Sequence, residues 1–117
     1  MFRCFHKAVS VEALDLTADT RVARADVAGF LASPPPREAP FDLVLADPPY
    51  GTTDQEVAAL LAALSGPGWL GPDALIVVER PVKSEIDPPN GLRTCWERTF
   101  GDTLMFFFDT FDQPTLT

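Results

Sequence analysis

The sequence is short of cysteines, of long apolar runs and of histidines, and these shortages exclude several classes of protein. Cys4 and Cys95 are its two cysteines in 117 residues, too few for a disulfide framework or a cysteine metal cluster. They are typical of reduced thiols in the cytoplasm. No apolar stretch approaches the ~20 residues of a membrane span, and residues 1–7 precede no signal-peptide apolar region. We therefore expect one cytoplasmic domain with no metal and no membrane segment.

Basic residues are also scarce, since nine lysines and arginines stand against 17 aspartates and glutamates, for a net charge of −8. Residues 1–33 are balanced, whereas residues 34–73 hold Arg37 against six acids. A protein that holds phosphates by itself is expected to carry a basic face. If the substrate is nucleic acid, most of the phosphate contacts must come from outside this chain.

An apolar run that stops at an acid and two prolines, within Phe41–Gly51, organises the chain. Leu43–Ala46 is short, continuous and bounded by breakers, which predicts a strand buried on both faces of a parallel sheet. Pro48 and Pro49 fix their own φ angles and cannot continue a strand ladder. Because open α/β sheets bind ligands at the carboxyl ends of their strands, this stiff loop is the candidate site.

The segments after the loop alternate between helix and strand patterns. Thr53 and Glu56 stand in capping-box register, and an apolar stripe at helical spacing runs from Val57 to Leu64. Ala74–Val78 is a second buried strand. Glu79 and Arg80 follow it, and an exposed pair at a strand end is the default interpretation.

The rest of the chain is predicted from shorter patterns. The predicted segments are a helix end at Ala8–Leu16, a strand at Thr20–Ala25, a short helix at Val27–Ala32, a long loop at Val82–Asn90, and an antiparallel pair at Leu92–Phe100 and Thr103–Asp109. Residues 1–7 and 110–117 are expected to be loose.

The four residues Asp47-Pro48-Pro49-Tyr50 resemble the (Asp/Asn/Ser)-Pro-Pro-(Tyr/Phe) signature of S-adenosylmethionine-dependent methyltransferases that act on planar amino or amide nitrogens. The resemblance implies that the Asp47 carboxylate and the Pro48 carbonyl accept hydrogen bonds from the NH₂ group, and that Tyr50 stacks on the ring. Asp47, Pro48, Pro49 and Tyr50 are thus the candidate catalytic residues. An ordinary strand-to-helix turn is the alternative, since aspartate and proline are common in turns.

Asp26, at the start of the predicted short helix, has two compatible interpretations. An acid at this position is a good N-cap. The methyltransferase resemblance also implies a cofactor contact there, with the carboxylate accepting from the adenine amino group. The candidate cofactor-binding residues are therefore Asp26, Val27 and Asp47, and the implied cofactor is S-adenosylmethionine.

An ordered set of segments from about Ala8 to Asp109 resembles the RsmD-type 16S rRNA guanine-N2 methyltransferases. The set comprises Phe41–Tyr50, Gly68–Leu70, Ala74–Glu79 and Phe100–Thr103. The resemblance implies an α/β, Rossmann-like class I methyltransferase fold, with parallel strands followed by a C-terminal antiparallel strand pair. It also implies rRNA, or the small ribosomal subunit, as the partner.

The same resemblance implies a glycine-rich cofactor loop, but Gly29 is the single glycine ahead of Gly51. We therefore expect one partial domain, truncated at its N-terminus. Its missing strands would belong between the strands of Val22 and Leu43, and a missing N-terminal segment or a partner chain would supply them. The chain alone is then expected to bind S-adenosylmethionine weakly or not at all, because unpaired strand edges leave buried amides unsatisfied.

Three functional hypotheses follow. The first is methylation of a guanine amino group in 16S rRNA. The second is the same chemistry on a DNA adenine or on a protein glutamine amide. The third is a non-catalytic fragment or a module that pairs with another chain, which predicts no dependence on Asp47.

Overall fold

The computed structural model describes residues 26–49 and 51–110. In chain order its elements are α1 (Val27–Ala32), β1 (Phe41–Ala46), α2 (Asp54–Leu64), β2 (Leu70–Pro81), β3 (Leu92–Phe100) and β4 (Thr103–Thr110). The predicted helix end at 8–16 and the predicted strand at 20–25 lie outside the described residues, as do residues 1–7 and 111–117. No helix within 26–49 and 51–110 is long and apolar enough to cross a membrane.

The described strands form a four-stranded mixed sheet in the order β1-β2-β4-β3. β1 and β2 are parallel, as their continuous apolar runs predict, and β4 is antiparallel to both β2 and β3. The closing antiparallel pair is confirmed, and its turn at Gly101-Asp102 has glycine at φ +57°. Thr110, which we assigned to the tail, is the last residue of β4.

The main hydrophobic core lies on one face of this sheet. Alternate residues of β2 and β4, among them Ile76 and Phe108, join the stripe of α2 formed by Val57, Leu61 and Leu64. Alternation is expected because successive strand side chains point to opposite faces. The apolar stripe of α2 is therefore part of the core and holds that helix against the sheet.

The N-terminus of α2 has Thr53 as its N-cap, and Thr53 and Glu56 are bonded to each other as the predicted capping box requires, although through the Thr53 hydroxyl. Thr53 Oγ1 accepts from the Glu56 amide at 3.1 Å and donates to the Glu56 carboxylate at 3.1 Å. This cap ends the connection from β1 two residues after Gly51, whose φ of +100° suits glycine. The loop between strand and helix is thus short, and its far end is held by local hydrogen bonds.

β2 is longer than the Ala74–Val78 strand that the apolar run predicts. It begins at Leu70, and its register against β1 shifts between the pairs Phe41↔Leu70 and Leu43↔Leu75. The segment Gly71-Pro72-Asp73, whose residue types are common in turns, is an irregular part of the strand. Turn-forming residues here are accommodated as a bulge because pairing resumes on both sides of them.

Candidate functional site at the carboxyl ends of β1 and β2

A pocket of about 320 Å³ opens where β1 and β2 end and the β3–β4 turn meets them. Its lining comprises Asp47, Pro48, Pro49, Gly51, Glu79, Arg80, Pro81, Asp102 and Thr103. The first four belong to the loop after β1, and the rest come from the end of β2 and from the β3–β4 turn. The site is therefore where parallel sheets of this class bind ligands.

The parallel register brings two carboxyl groups together in this pocket. Ala46 pairs with Val78, so Asp47 and Glu79 each follow the last pair at the same edge of the sheet. Asp47 is exposed and Glu79 is half-buried. The pKa of the Glu79 carboxyl is raised, first by burial and then by the charge of Asp47 and a hydrogen bond with its side chain. Burial and the Asp47 charge thus both disfavour a negative charge on Glu79 in this pocket.

Replacing Glu79 with glutamine is expected to stabilise the fold at neutral pH by about 0.5–1 kcal/mol, since the charge that the pocket disfavours is removed. The folded-state pKa of Glu79 lies above its ordinary 4.5. The free-energy cost of ionising Glu79 in the folded protein is therefore complete at pH values above its folded-state pKa. It is absent at pH values below its unfolded-state pKa. Urea unfolding of Glu79→Gln and wild type at several pH values measures this, with Glu85→Gln as an exposed control. A variant less stable than wild type at pH 7 would contradict the assignment.

Arg80 points to the opposite face from Glu79 and is buried, with 6% of its surface exposed. Its Nη2 donates to the Thr52 carbonyl at 2.7 Å and to Asp54 Oδ1 at 2.8 Å, and its Nε donates to Ser84 Oγ at 3.2 Å. The expectation of an exposed strand-end pair is therefore wrong for Arg80. Burial of a guanidinium is tolerated here because its donors are matched by oxygens.

The Arg80 contacts belong to a network, the Arg80 clamp, which consists of Arg80, Thr52, Asp54, Ser84 and the Glu85 amide. Ser84 Oγ donates to Asp54 Oδ1, and the Glu85 amide donates to Asp54 Oδ2 at 2.9 Å. These bonds, with the Arg80 charge, lower the pKa of Asp54 to about 2. The clamp ties the residues after the proline loop to the residues after β2.

The clamp also changes the interpretation of residues 82–90, which we predicted to be an irregular loop. The structure has neither helix nor strand there, yet Ser84 and Ile86 are buried. The Val82 amide donates to the Asp102 carbonyl at 3.1 Å, which joins this loop to the β3–β4 turn. The loop is therefore bound to residues that line the pocket, Arg80 and Asp102, without lining it itself.

The other predicted site residues are distributed as follows. Asp26 is the N-cap of α1, where its Oδ2 accepts from the Gly29 amide at 3.2 Å, so the capping interpretation is confirmed. Val27 packs against the core cluster, and neither residue lines the pocket. Tyr50 lies outside the described residues. Asp47, Pro48 and Pro49 are brought together with Glu79, Arg80 and Asp102, none of which we predicted as site residues.

A signal for Glu79 was present in the sequence. It follows a buried apolar run just as Asp47 does, and carboxyl ends of neighbouring parallel strands meet at one edge. Asp54 and Ser84 carried no such signal, because their roles depend on where the fold places Arg80. Asp54 is 26 residues from Arg80 in the sequence, and Ser84 is 4 residues from it.

Comparison with protein-family models identifies one family. The model described as Conserved hypothetical protein 95 matches residues 7–109, which is most of the chain. The chain belongs to this family. Comparison with curated proteins found no match.

Solved structures share the fold of this family member. It is similar to yhhF from Escherichia coli, a candidate methyltransferase, with a TM-score of 0.72, 24% identity and 89% of this chain covered. It is similar to a candidate methylase from Haemophilus influenzae, with a TM-score of 0.69, 24% identity and 88% coverage. The rRNA methyltransferase aviRa from Streptomyces viridochromogenes gives a TM-score of 0.54 and 24% identity over 76% of this chain.

These likenesses establish the Rossmann-like methyltransferase fold. The chain spans 56% of the E. coli protein, 63% of the H. influenzae protein and 38% of aviRa. In the described residues the order β1-β2-β4-β3 places the antiparallel pair at one end of the sheet.

Proposed function

We propose that this chain carries the acceptor side of an S-adenosylmethionine-dependent N-methyltransferase, which methylates the exocyclic N2 amino group of a guanine in 16S rRNA. The observation that carries the proposal is the position of Asp47: an exposed carboxylate at the end of a parallel strand, in a pocket, followed by two prolines. An amino group on an aromatic ring is a poor nucleophile because its lone pair is delocalised. A fixed acceptor that binds its hydrogens favours a more tetrahedral nitrogen.

In this proposal the described residues orient the base. The Asp47 carboxylate and the Pro48 carbonyl accept hydrogen bonds from the NH₂ group, and Pro49 stiffens the loop. Tyr50 follows directly in sequence and is assigned to stack on the ring. Glu79, whose pKa is raised by burial and by the charge of Asp47, lines the same pocket beside this acceptor.

The chemistry of the pocket also fits the cofactor. S-adenosylmethionine supplies, when bound, an electrophilic methyl group on a positively charged sulfur. Asp47, Glu79 and Asp102 line one opening, and Arg80 in the same lining is already paired with Asp54, so the pocket is suited to a further cationic group. We assign Asp47 to this contact, and Asp26 and Val27 at the start of α1 to the adenine end. In Asp26 one oxygen caps the helix, so the second oxygen is available as an acceptor.

The function is tested by methyl transfer from labelled cofactor to three acceptors: 16S rRNA or small ribosomal subunits, DNA, and protein. The assay uses purified protein expressed from its complete reading frame. We expect this protein to act in the cytoplasm. We expect label in the rRNA. Label in DNA adenine or in a glutamine amide would favour the second hypothesis. No transfer to any acceptor, by a protein that is folded and binds the cofactor, would leave the non-catalytic hypothesis.

A further inference from the structure

The β3–β4 hairpin carries a row of exposed aromatic and basic side chains, here called the Trp96 row: Trp96, Arg98 and Phe100. The two rings are 51% and 49% exposed, although large aromatic side chains usually bury most of their surface. The guanidinium carbon of Arg98 lies 5.9 Å from the Trp96 ring centre and 4.6 Å from that of Phe100. The row is therefore a preformed stack of flat groups on the surface.

A β-bulge decides which side chains form this row. Arg93 pairs with Asp109, but after the register shift between Thr94 and Trp96 it is Trp96 that stands opposite Phe107. The two rings lie 4.8 Å apart. Without the bulge, Cys95 would take that place, and Glu97 and Thr99 would follow it on this face. The bulge thus selects the aromatic and basic set over a polar and acidic one.

The Trp96 row leads directly to the pocket. Phe100 pairs with Thr103 across the hairpin, and Thr103 and Asp102 line the pocket that contains Asp47. Trp96 and Phe100 are four residues apart, so the row extends about 13 Å from the pocket rim. A chain that places one flat group in the pocket can lay its neighbours along this row.

We propose that the Trp96 row binds a single-stranded nucleic-acid segment adjacent to the nucleotide in the pocket. The proposal rests on the proposed function, since it concerns the flanking part of the same substrate. Unpaired bases stack on aromatic rings and on arginine planes, which are the groups present here. The row offers one cation, Arg98, and the turn carries Asp102, so base stacking rather than phosphate contact must provide the affinity. This mode suits a chain of net charge −8.

Binding of a fluorescent eight-nucleotide oligoadenylate to the 117-residue chain tests this directly by anisotropy. We expect Trp96→Leu and Phe100→Leu each to weaken binding by roughly fivefold or more. Trp96→Phe, which keeps a ring, should recover most of the affinity and shows that loss in Trp96→Leu is not misfolding. Thr99→Val, exposed on the same strand but on the other face, is the matched control.

Two further probes separate stacking from charge. With one cation in contact, affinity should fall only about threefold between 50 and 200 mM salt. An abasic oligomer with the same phosphates should bind at least roughly fivefold more weakly than oligoadenylate. Equal binding of the abasic oligomer, or leucine variants equal to wild type, would overturn the proposal. So would self-association of the wild type that Trp96→Leu abolishes, without oligonucleotide binding, because a second copy would then occupy the row.

The outcomes distinguish this inference from the proposed function. Ring-dependent oligonucleotide binding without methyl transfer to any acceptor contradicts the function and supports the surface. Methyl transfer to RNA with an unchanged KM in both leucine variants contradicts the surface and supports the function. RNA and DNA oligomers of one sequence, compared side by side, identify which nucleic acid the row prefers.

Discussion

Replacing Asp47 with alanine is expected to reduce methyl transfer by at least about 100-fold, the scale of losing one fixed hydrogen-bonding group that acts in the transition state. Alanine removes the acceptor that orients the amino nitrogen. Because Asp47 is exposed, the change should alter the free energy of unfolding by no more than about 0.5 kcal/mol. Initial rates with labelled cofactor, measured beside unfolding curves, check both statements.

Two companion variants sharpen this experiment. Asp47→Asn keeps an acceptor oxygen but loses the charge, so it should retain more activity than alanine if orientation is the main role. Asp42→Ala removes an exposed acid from the other end of β1, outside the pocket lining, and should leave the rate unchanged. Equal rates for wild type and Asp47→Ala would show that the carboxylate does not act on the substrate.

The second large effect is expected from Asp54→Ala, which removes the carboxylate of the Arg80 clamp. The Arg80 side chain is 5% exposed, so the variant leaves a buried cation without its ion-pair partner. Breaking a fully buried pair costs about 3–5 kcal/mol, and because the Asp54 side chain is 37% exposed we expect about 2 kcal/mol. Urea unfolding at pH 7 measures this, and Asp87→Ala, an exposed acid in the loop of residues 82–90, is the control.

The pH dependence of the same variant provides an independent check. The folded-state pKa of Asp54 is about 2, below its ordinary 3.8. Its contribution to stability is therefore complete above about pH 4 and is lost as the pH falls toward 2. The stability difference between wild type and Asp54→Ala should shrink over that window. A difference that stays constant down to pH 2 would show that Asp54 acts through packing alone.

The elements that the sequence predicts well are those with a strong local cause. Leu43–Ala46 stops at two prolines, and the observed β1 ends there at Ala46, although the expected burial on both faces is wrong for Leu45, which is 45% exposed. Thr53 and Glu56 form the predicted cap in the observed α2. Such features are determined by residues within a few positions of one another. The carboxyl-end location of Asp47 follows from them, because a strand must end where the prolines begin.

The features that the sequence did not reveal depend on pairing between distant segments. Arg80 looks like an exposed strand-end residue until the register of β2 places it against Asp54 and Ser84. In the sequence, Trp96 and Phe100 belong to one of two alternating sets of residues in a strand. Only the register shift at Cys95 shows that this set lies on the same face of the sheet as Phe107. Neither register shifts nor cross-strand partners can be read from local periodicity.

The central claim, that the Asp47 pocket directs transfer to a nucleobase amino group, is tested most directly by locating the transferred methyl. After incubation with labelled cofactor and small ribosomal subunits, the RNA is digested to nucleosides. The nucleosides are separated by chromatography and identified by mass spectrometry. The account predicts label in N2-methylguanosine, absent when Asp47→Ala replaces the wild type. Label on a ring carbon or on a ribose oxygen, or the same N2 label with Asp47→Ala, would contradict it.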